Sequence, residues 1–404
     1  MLKKLGPGIL VTAAFIGTGT ITTARSAGAD FGFSLLWALL FAVFATVVLQ
    51  EMAARLGLVS GEGLSEAVRN SFQGPLRIFA IGLVIVSIGV GNTAFQAANI
   101  TGAAIGMKSL FDVPLAVWCG LIGLLAFILL GAGIYKLMEK FLIALVLLMS
   151  VVFLITMVLV GPDVLAMLKG MFVPRIPSGS GLTIIALIGT TVVPYNLFLH
   201  SGSVREKWDA DTPLPQALKE STFDTTMSVS LGGLITLAIT VSAAVAFAGS
   251  QKEFDPTNMA EQLRPTLGSM AEYFFPFAML AAGISSAITA PLAGAYATCG
   301  VLGWSRDLKS PKFRAIWATI LVIGTVVAAL VGEPKDAIIF AQALNGVLLP
   351  ISSIFLLIIM NRAALLSEHR NKVWNNVLGG IVVIVVSVLG VIQLLKALGV
   401  IQGS

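Results

Sequence analysis

From Phe141 to Val160 the chain reads FLIALVLLMSVVFLITMVLV, with no charge anywhere in the run. A helix of that length crosses the hydrocarbon core of a bilayer, about 30 Å at 1.5 Å per residue. Similar apolar runs lie near residues 7–29, 34–56, 77–107, 113–134, 181–203, 225–249, 270–302, 314–332, 336–361 and 373–397, and this one extends over 140–161. Eleven membrane-spanning helices are therefore expected. Only 11% of residues are charged and 57% are hydrophobic, with a mean hydropathy of +0.96. A soluble domain carries about 25% charged residues, so no water-facing globule can be built from this pool. The chain is expected to be an all-α, multi-pass membrane protein. Its first run follows Lys3 and Lys4, is too long for a cleavable signal, and lacks a small-residue cleavage pattern, so it is expected as a retained helix.

Charge sets an expected orientation. With the N-terminus in the cytoplasm, 17 of the 25 Lys and Arg residues fall in cytoplasmic loops and 7 outside, leaving Arg25 within the first span. That bias predicts a cytoplasmic N-terminus and an external C-terminus in the cell membrane. It also accounts for the net charge of +5 without a nucleic-acid partner. Polar linkers are expected near 204–224 and 250–266, too short for a soluble domain. Cys119 and Cys299 lie in apolar runs and read as packing residues. No P-loop, GxSxG nucleophile or Cys/His cluster is present, so neither ATP-driven transport nor an enzyme is expected, and no cofactor.

Two spans are interrupted. The first carries Gly17-Thr18-Gly19-Thr20 at its centre, and the sixth carries Gly189, Thr190, Thr191 and Pro194. Glycine weakens a helix by about 1 kcal/mol against alanine, and proline removes a donor. Irregular backbone at membrane depth is tolerated only where it lines protein or a cavity. Breaks at matching places in two halves point to an inverted repeat with a midplane site. Small-residue helix packing explains GTGT taken alone equally well. The expected organisation is one membrane domain over 1–404: a first repeat at 1–161, a second at 181–361, and an added helix at 373–397.

Further motifs carry a family resemblance. GPGILVTAAFI and ARSAGADFGFSLLW flank the first break, LQEMAARLGLVSGEGLSEAVR covers the second span and its loop, and PYNLFLHS, GISSAIT and AQALNGVLLP follow in spans six, eight and ten. Together these resemble the natural resistance-associated macrophage protein (NRAMP) family of divalent-metal transporters. The resemblance implies the leucine-transporter fold, a 5+5 inverted repeat with broken helices 1 and 6. It also implies a metal site. The family's first-helix DPGN is here GTGT, which puts Gly17 at the metal-binding aspartate and Thr20 at the asparagine. Its AxxMPH is here TTVVPY, with Thr190 at the alanine whose carbonyl contributes, Val193 at the methionine and Tyr195 at the histidine. Its DLAE is here QAAN, so Gln96 and Asn99 replace two acids linked to proton transfer. Gln342 and His200 match the family's residues.

The substitutions have a physical reading. Methionine sulfur selects soft metals, and Val193 offers no donor. Gly17 removes an anion. What remains is neutral and all-oxygen: hydroxyls of Thr18, Thr20, Thr190 and Thr191, the Gln342 amide, and carbonyls near Ala14 and Gly17. A bare divalent ion is costly there, but magnesium holds its water and can lean on such a ring through it. The chain looks closest to a magnesium-transporting branch related to the family. Expected metal residues are Ala14, Gly17, Thr18, Thr20, Thr190, Val193 and Gln342. Expected pathway residues are Gln96, Asn99, Asn345, Tyr195 and His200, with His200 also readable as an interhelical tie. Ser285, Ser286 and Thr289 read either as a sodium site or as side chains bonded back to their own helix. Asp30 reads as a solvated loop residue.

The expected function is alternating-access transport of a divalent ion, magnesium before manganese, by a monomer in membrane lipid and without proton coupling. Two alternatives stay open: transport of a small organic solute such as an amino acid, whose carboxylate would sit on half-helix N-termini, and a non-transporting sensor or receptor.

Overall fold

The computed structural model describes residues 16–133, 135–208, 211–247, 256–397 and 400. Its main helices are α1 (Thr18–Phe31), α2 (Leu36–Ser60), the short α3 (Leu64–Ser71), α4 (Gly74–Lys108), α5 (Leu115–Ala132), α6 (Tyr135–Leu159), the short α7 (Val164–Phe172), α8 (Gly181–Thr191), α9 (Pro194–Lys207), α10 (Leu214–Ala246), α11 (Ala271–Leu302), α12 (Pro311–Leu330), α13 (Pro334–Met360) and α14 (Val373–Ala397). Among the described residues, ten helical stretches are long and apolar enough to cross a membrane, with α8 and α9 forming one of them. The remaining expected span, the first, begins outside the described residues and enters them only as α1. Lys3, Lys4 and Ala14 lie outside as well.

Local chemistry sets the helix ends. Prolines sit in the first turn of α4, α9, α10, α12 and α13, where a missing N–H costs nothing. Left-handed glycines end α2, α5 and α11, at Gly61 (φ 71°), Gly133 (φ 69°) and Gly303 (φ 72°). Apolar patterning misplaced one boundary. The segment 204–224, expected as a polar linker, is helical to Lys207 and again from Leu214. Trp208 Nε1 donates to Glu220 at 2.9 Å, and Gln216 donates to the same carboxylate four residues on. These bonds support a polar helical extension that an apolar pattern does not register. Asp30 likewise belongs to the end of α1 and pairs with Lys335 at 2.8 Å.

Burial separates centre from periphery. In the most apolar stretch of α8–α9, 89% of residues are buried, against 22% in α14. The interrupted helix is thus the core of the bundle, and α14 lies against its outside. α4 packs against α11, α12 and α13, while α10 packs against α1 and α2. Backbones approach closely at glycines. A Cβ on Gly28 would stand 2.1 Å from the Thr240 carbonyl, and one on Gly189 would stand 2.1 Å from the Gln342 carbonyl. Such contacts let helices associate where no hydrophobic effect separates helix from lipid. Cys119 and Cys299 are buried free thiols.

Candidate functional site

The sixth-span break is explicit. α8 ends at Thr191, Val192 and Val193 are non-helical, and α9 starts at Pro194. Val193 is extended (φ −77°, ψ 125°), as the residue before a proline prefers. Pro194 has no N–H, so the Thr190 carbonyl four residues back loses its helical donor. The first-span break is seen from one side. Gly17 is extended (φ −109°, ψ −175°) and caps α1 with no side-chain hydrogen bond.

The two breaks meet. Thr20 Oγ1 lies 2.7 Å from Thr190 Oγ1, and both residues are fully buried. Around them the glycines of α1 receive polar groups from three other helices. A Cβ on Gly17 would lie 2.7 Å from Ser286 Oγ of α11 and 3.1 Å from Asn99 Oδ1 of α4. A Cβ on Gly19 would lie 2.0 Å from Gln342 Nε2 of α13. Asn345, one turn further along α13, holds its Oδ1 2.8 Å from the corresponding point on Gly91 of α4. Asn99, Gln342 and Asn345 are buried, and neither amide atom of any of them has a hydrogen-bond partner among the described residues. Burying an unpaired amide costs several kcal/mol by transfer estimates. A ligand or its water beside the two broken helices would offset that cost for all three.

The expected residues divide into two groups. Gly17, Thr20, Thr190, Gln342 and Asn99 come together, with Asn345 adjacent. Thr18 points elsewhere: its hydroxyl is 3.3 Å from the carbonyls of both Ala98 and Asn99 on α4. Val193 is buried and presents no polar side-chain atom. Thr191 Oγ1 bonds back to the Leu187 carbonyl at 2.9 Å. Gln96 Nε2 donates to the Ala287 carbonyl at 3.1 Å, tying α4 to α11. Tyr195 packs its ring edge-on to Phe95 at 5.7 Å. His200 Nδ1 sits 2.9 Å from Gln50 Oε1, joining α9 to α2. Ala14 lies outside the described residues. Thr289 bonds back to the Ser285 carbonyl, so the plainer reading holds for that residue. Ser286, read above only as a sodium-site or back-bonded residue, instead faces Gly17, a placement at the first break that sequence did not indicate.

Among the described residues no group of three or more His, Cys, Asp or Glu stands ready to hold a metal. The cluster offers amide and hydroxyl oxygens, one freed carbonyl, and no carboxylate.

Membrane-spanning helices wrapped around a buried, interrupted pair define a multi-pass membrane protein of the leucine-transporter fold. The family model described as "Natural resistance-associated macrophage protein-like" matches residues 8–396, and the chain belongs to that family. A divalent metal cation transporter MntH from Bradyrhizobium diazoefficiens is 32% identical, over 88% of this chain and 80% of the relative. One of the same description from Mesorhizobium japonicum is 31% identical, over 86% and 78%. Among solved structures, a mutant form of the manganese transporter of Eremococcus coleocola superposes with a TM-score of 0.76 at 23% identity, covering 97% of this chain and 86% of that one. MhsT in complex with L-phenylalanine gives 0.62 at 17% identity, covering 97% and 98%. The relatives are named as transporters, and this chain is likewise a transporter rather than an enzyme.

Proposed function

We propose that this chain carries a divalent metal ion across the membrane by alternating access, with magnesium preferred to manganese and without proton coupling. Relatives named as divalent metal cation transporters support the ion class. The choice of ion rests on one observation: the polar groups gathered at the breaks are uncharged oxygens and unpaired amides, with Asn99 and Gln342 aimed at Gly17 and Gly19. A site without sulfur or carboxylate gives a soft metal no advantage. It suits an ion that keeps its water, as magnesium does. The Thr190 carbonyl and the Gln342 and Asn99 side-chain oxygens then hold the hydrated ion, and binding is weak. The metal set is Gly17, Thr20, Thr190 and Gln342, completed by Ala14. Thr18 and Val193 shape its walls, and Gln96, Asn345, Tyr195 and His200 line or brace the route.

Proton coupling needs titratable groups along the path, and QAAN supplies none on α4. Membrane potential is sufficient for a divalent ion, at about 4.6 kcal/mol per 100 mV for two charges. The proposal includes a cytoplasmic N-terminus, an external C-terminus and repeats at 1–161 and 181–361 in a monomer.

The test is flux into liposomes holding a magnesium dye and a pH indicator. Under a negative-inside potential, magnesium enters and the interior does not acidify. No magnesium entry, or acidification in step with it, overturns the proposal.

One observation favours a second reading. α1 starts at a buried N-terminus with no side-chain cap, and such an end attracts anions. On that reading the passenger is a small carboxylate solute. Uptake of labelled amino acids indifferent to magnesium would select it.

A further inference from the structure

On the outer surface of the bundle, α4 and α12 leave an open groove. They meet tightly at one level, where a Cβ on Gly324 would touch Gln96 Cγ at 2.6 Å. Toward the start of α12 small residues line the space between them: Gly89, Thr93 and Ala94 on α4, Ala315 and Thr319 on α12. A Cβ on Gly89 would meet nothing within 4 Å. The resulting cavity has a volume of about 760 Å³ and an almost wholly apolar lining. Along α12 it runs from Lys312 to Val327, roughly 22 Å at 1.5 Å per residue. Most of its walls belong to helices long and apolar enough to cross a membrane, which suits a groove bordered by lipid.

The groove has a charged mouth. Lys312 lies at its end, with Nζ 4.7 Å from the ring centre of Trp304, which also lines it. Lys309 and Arg314 are exposed on either side. No carboxylate pairs with Lys312 among the described residues. Two acids of this end of the protein are already engaged. Asp307 accepts the Lys309 backbone N–H, and Glu66 pairs with Arg306. An apolar slot about one leaflet deep, ending in unneutralised cations beside an indole, matches a lipid chain joined to an anionic headgroup. Basic pockets between spanning helices bind such lipids, and Trp marks the interfacial level.

We infer that this groove is a binding site for one anionic phospholipid, its acyl chain along α4 and α12 and its phosphate at Lys312. The slot shares α4 and α13 with the polar cluster. Thr93 and Ala94 face it from the turn of α4 that sends Asn92 and Gln96 inward. Leu344 lines it from between Gln342 and Asn345 on α13. A seated chain therefore fills the space behind the helices that carry the unpaired amides.

The test is native mass spectrometry of the purified full chain after detergent exchange, titrated with phosphatidylglycerol or with phosphatidylcholine of the same chains. The wild type retains one phosphatidylglycerol, favoured about fivefold over phosphatidylcholine, the discrimination one membrane-surface lysine supplies. Lys312→Gln abolishes that preference while leaving residual binding of both lipids. Gly89→Phe, which projects into open space, lowers retention of both. Unchanged melting temperatures show that both variants are folded. Equal retention of the two lipids by the wild type overturns the inference. So does an unaltered preference in Lys312→Gln, or a second copy of the chain cross-linking through α12 in place of lipid.

Discussion

The two helix breaks do the same topological job with opposite chemistry. At the first, glycine exposes α1 to its neighbours, and amides and a hydroxyl from α4, α11 and α13 fill the space where side chains would stand. At the second, two valines and a proline hold the break open, and the nearby polar groups are the Thr190 hydroxyl and carbonyl and the buried, unpartnered Asn196 amide in the first turn of α9. The first break gathers donors from other helices. The second supplies a backbone oxygen by denying it a partner. On the proposed function selectivity is shared, because the α1 side lacks an anion at Gly17 and the α8–α9 side lacks a sulfur at Val193.

The largest effect expected from this contrast is at Gly19. Gly19→Val places a methyl-bearing carbon against the Gln342 amide. It should abolish transport and destabilise the fold by about 1–3 kcal/mol through overpacking. Adding Gln342→Ala should restore the melting temperature but not the flux. If flux returns as well, the amide is not part of the site.

Next comes conversion of the site. Aspartate at position 17 collides with Ser286 Oγ, so Gly17→Asp and Val193→Met are combined with Ser286→Ala to make room. The triple variant should shift the manganese-to-magnesium flux ratio by roughly tenfold, about 1.4 kcal/mol. An unchanged ratio would show that position 17 does not face the ion. A smaller effect is expected at the second break. Pro194→Ala returns a donor to the Thr190 carbonyl and should weaken ion binding about fivefold, the scale of one hydrogen bond, with stability unchanged or raised. Smallest is Thr20→Val, which breaks the 2.7 Å hydroxyl contact between the breaks. Stability should fall by about 1 kcal/mol, and ion binding should weaken about threefold, less than at Pro194 because the hydrated ion meets this hydroxyl through water.

The sequence disclosed much of this, for identifiable reasons. Spanning helices announce themselves because lipid demands long apolar runs, and ten of them appear among the described residues. Both breaks were legible because glycine and proline have few uses in such a run. Side-chain direction was not. Thr18 sits inside the GTGT motif, yet its hydroxyl turns to the α4 backbone. Ser286 sits in GISSAIT beside residues that bond back to their own helix, yet it faces Gly17. Nothing in a single sequence records which faces of two distant helices meet. The helical extension at 214–224 escaped because its stabilising contacts are polar.

On the proposed function a neutral cage holds a hydrated divalent ion. The most direct measurement is calorimetric or fluorescence titration of magnesium on the purified chain and on Gln342→Ala in parallel. Weak, saturable binding by the wild type that falls at least about tenfold in the variant is the predicted result. Magnesium that does not bind, or that binds both proteins alike, would contradict it.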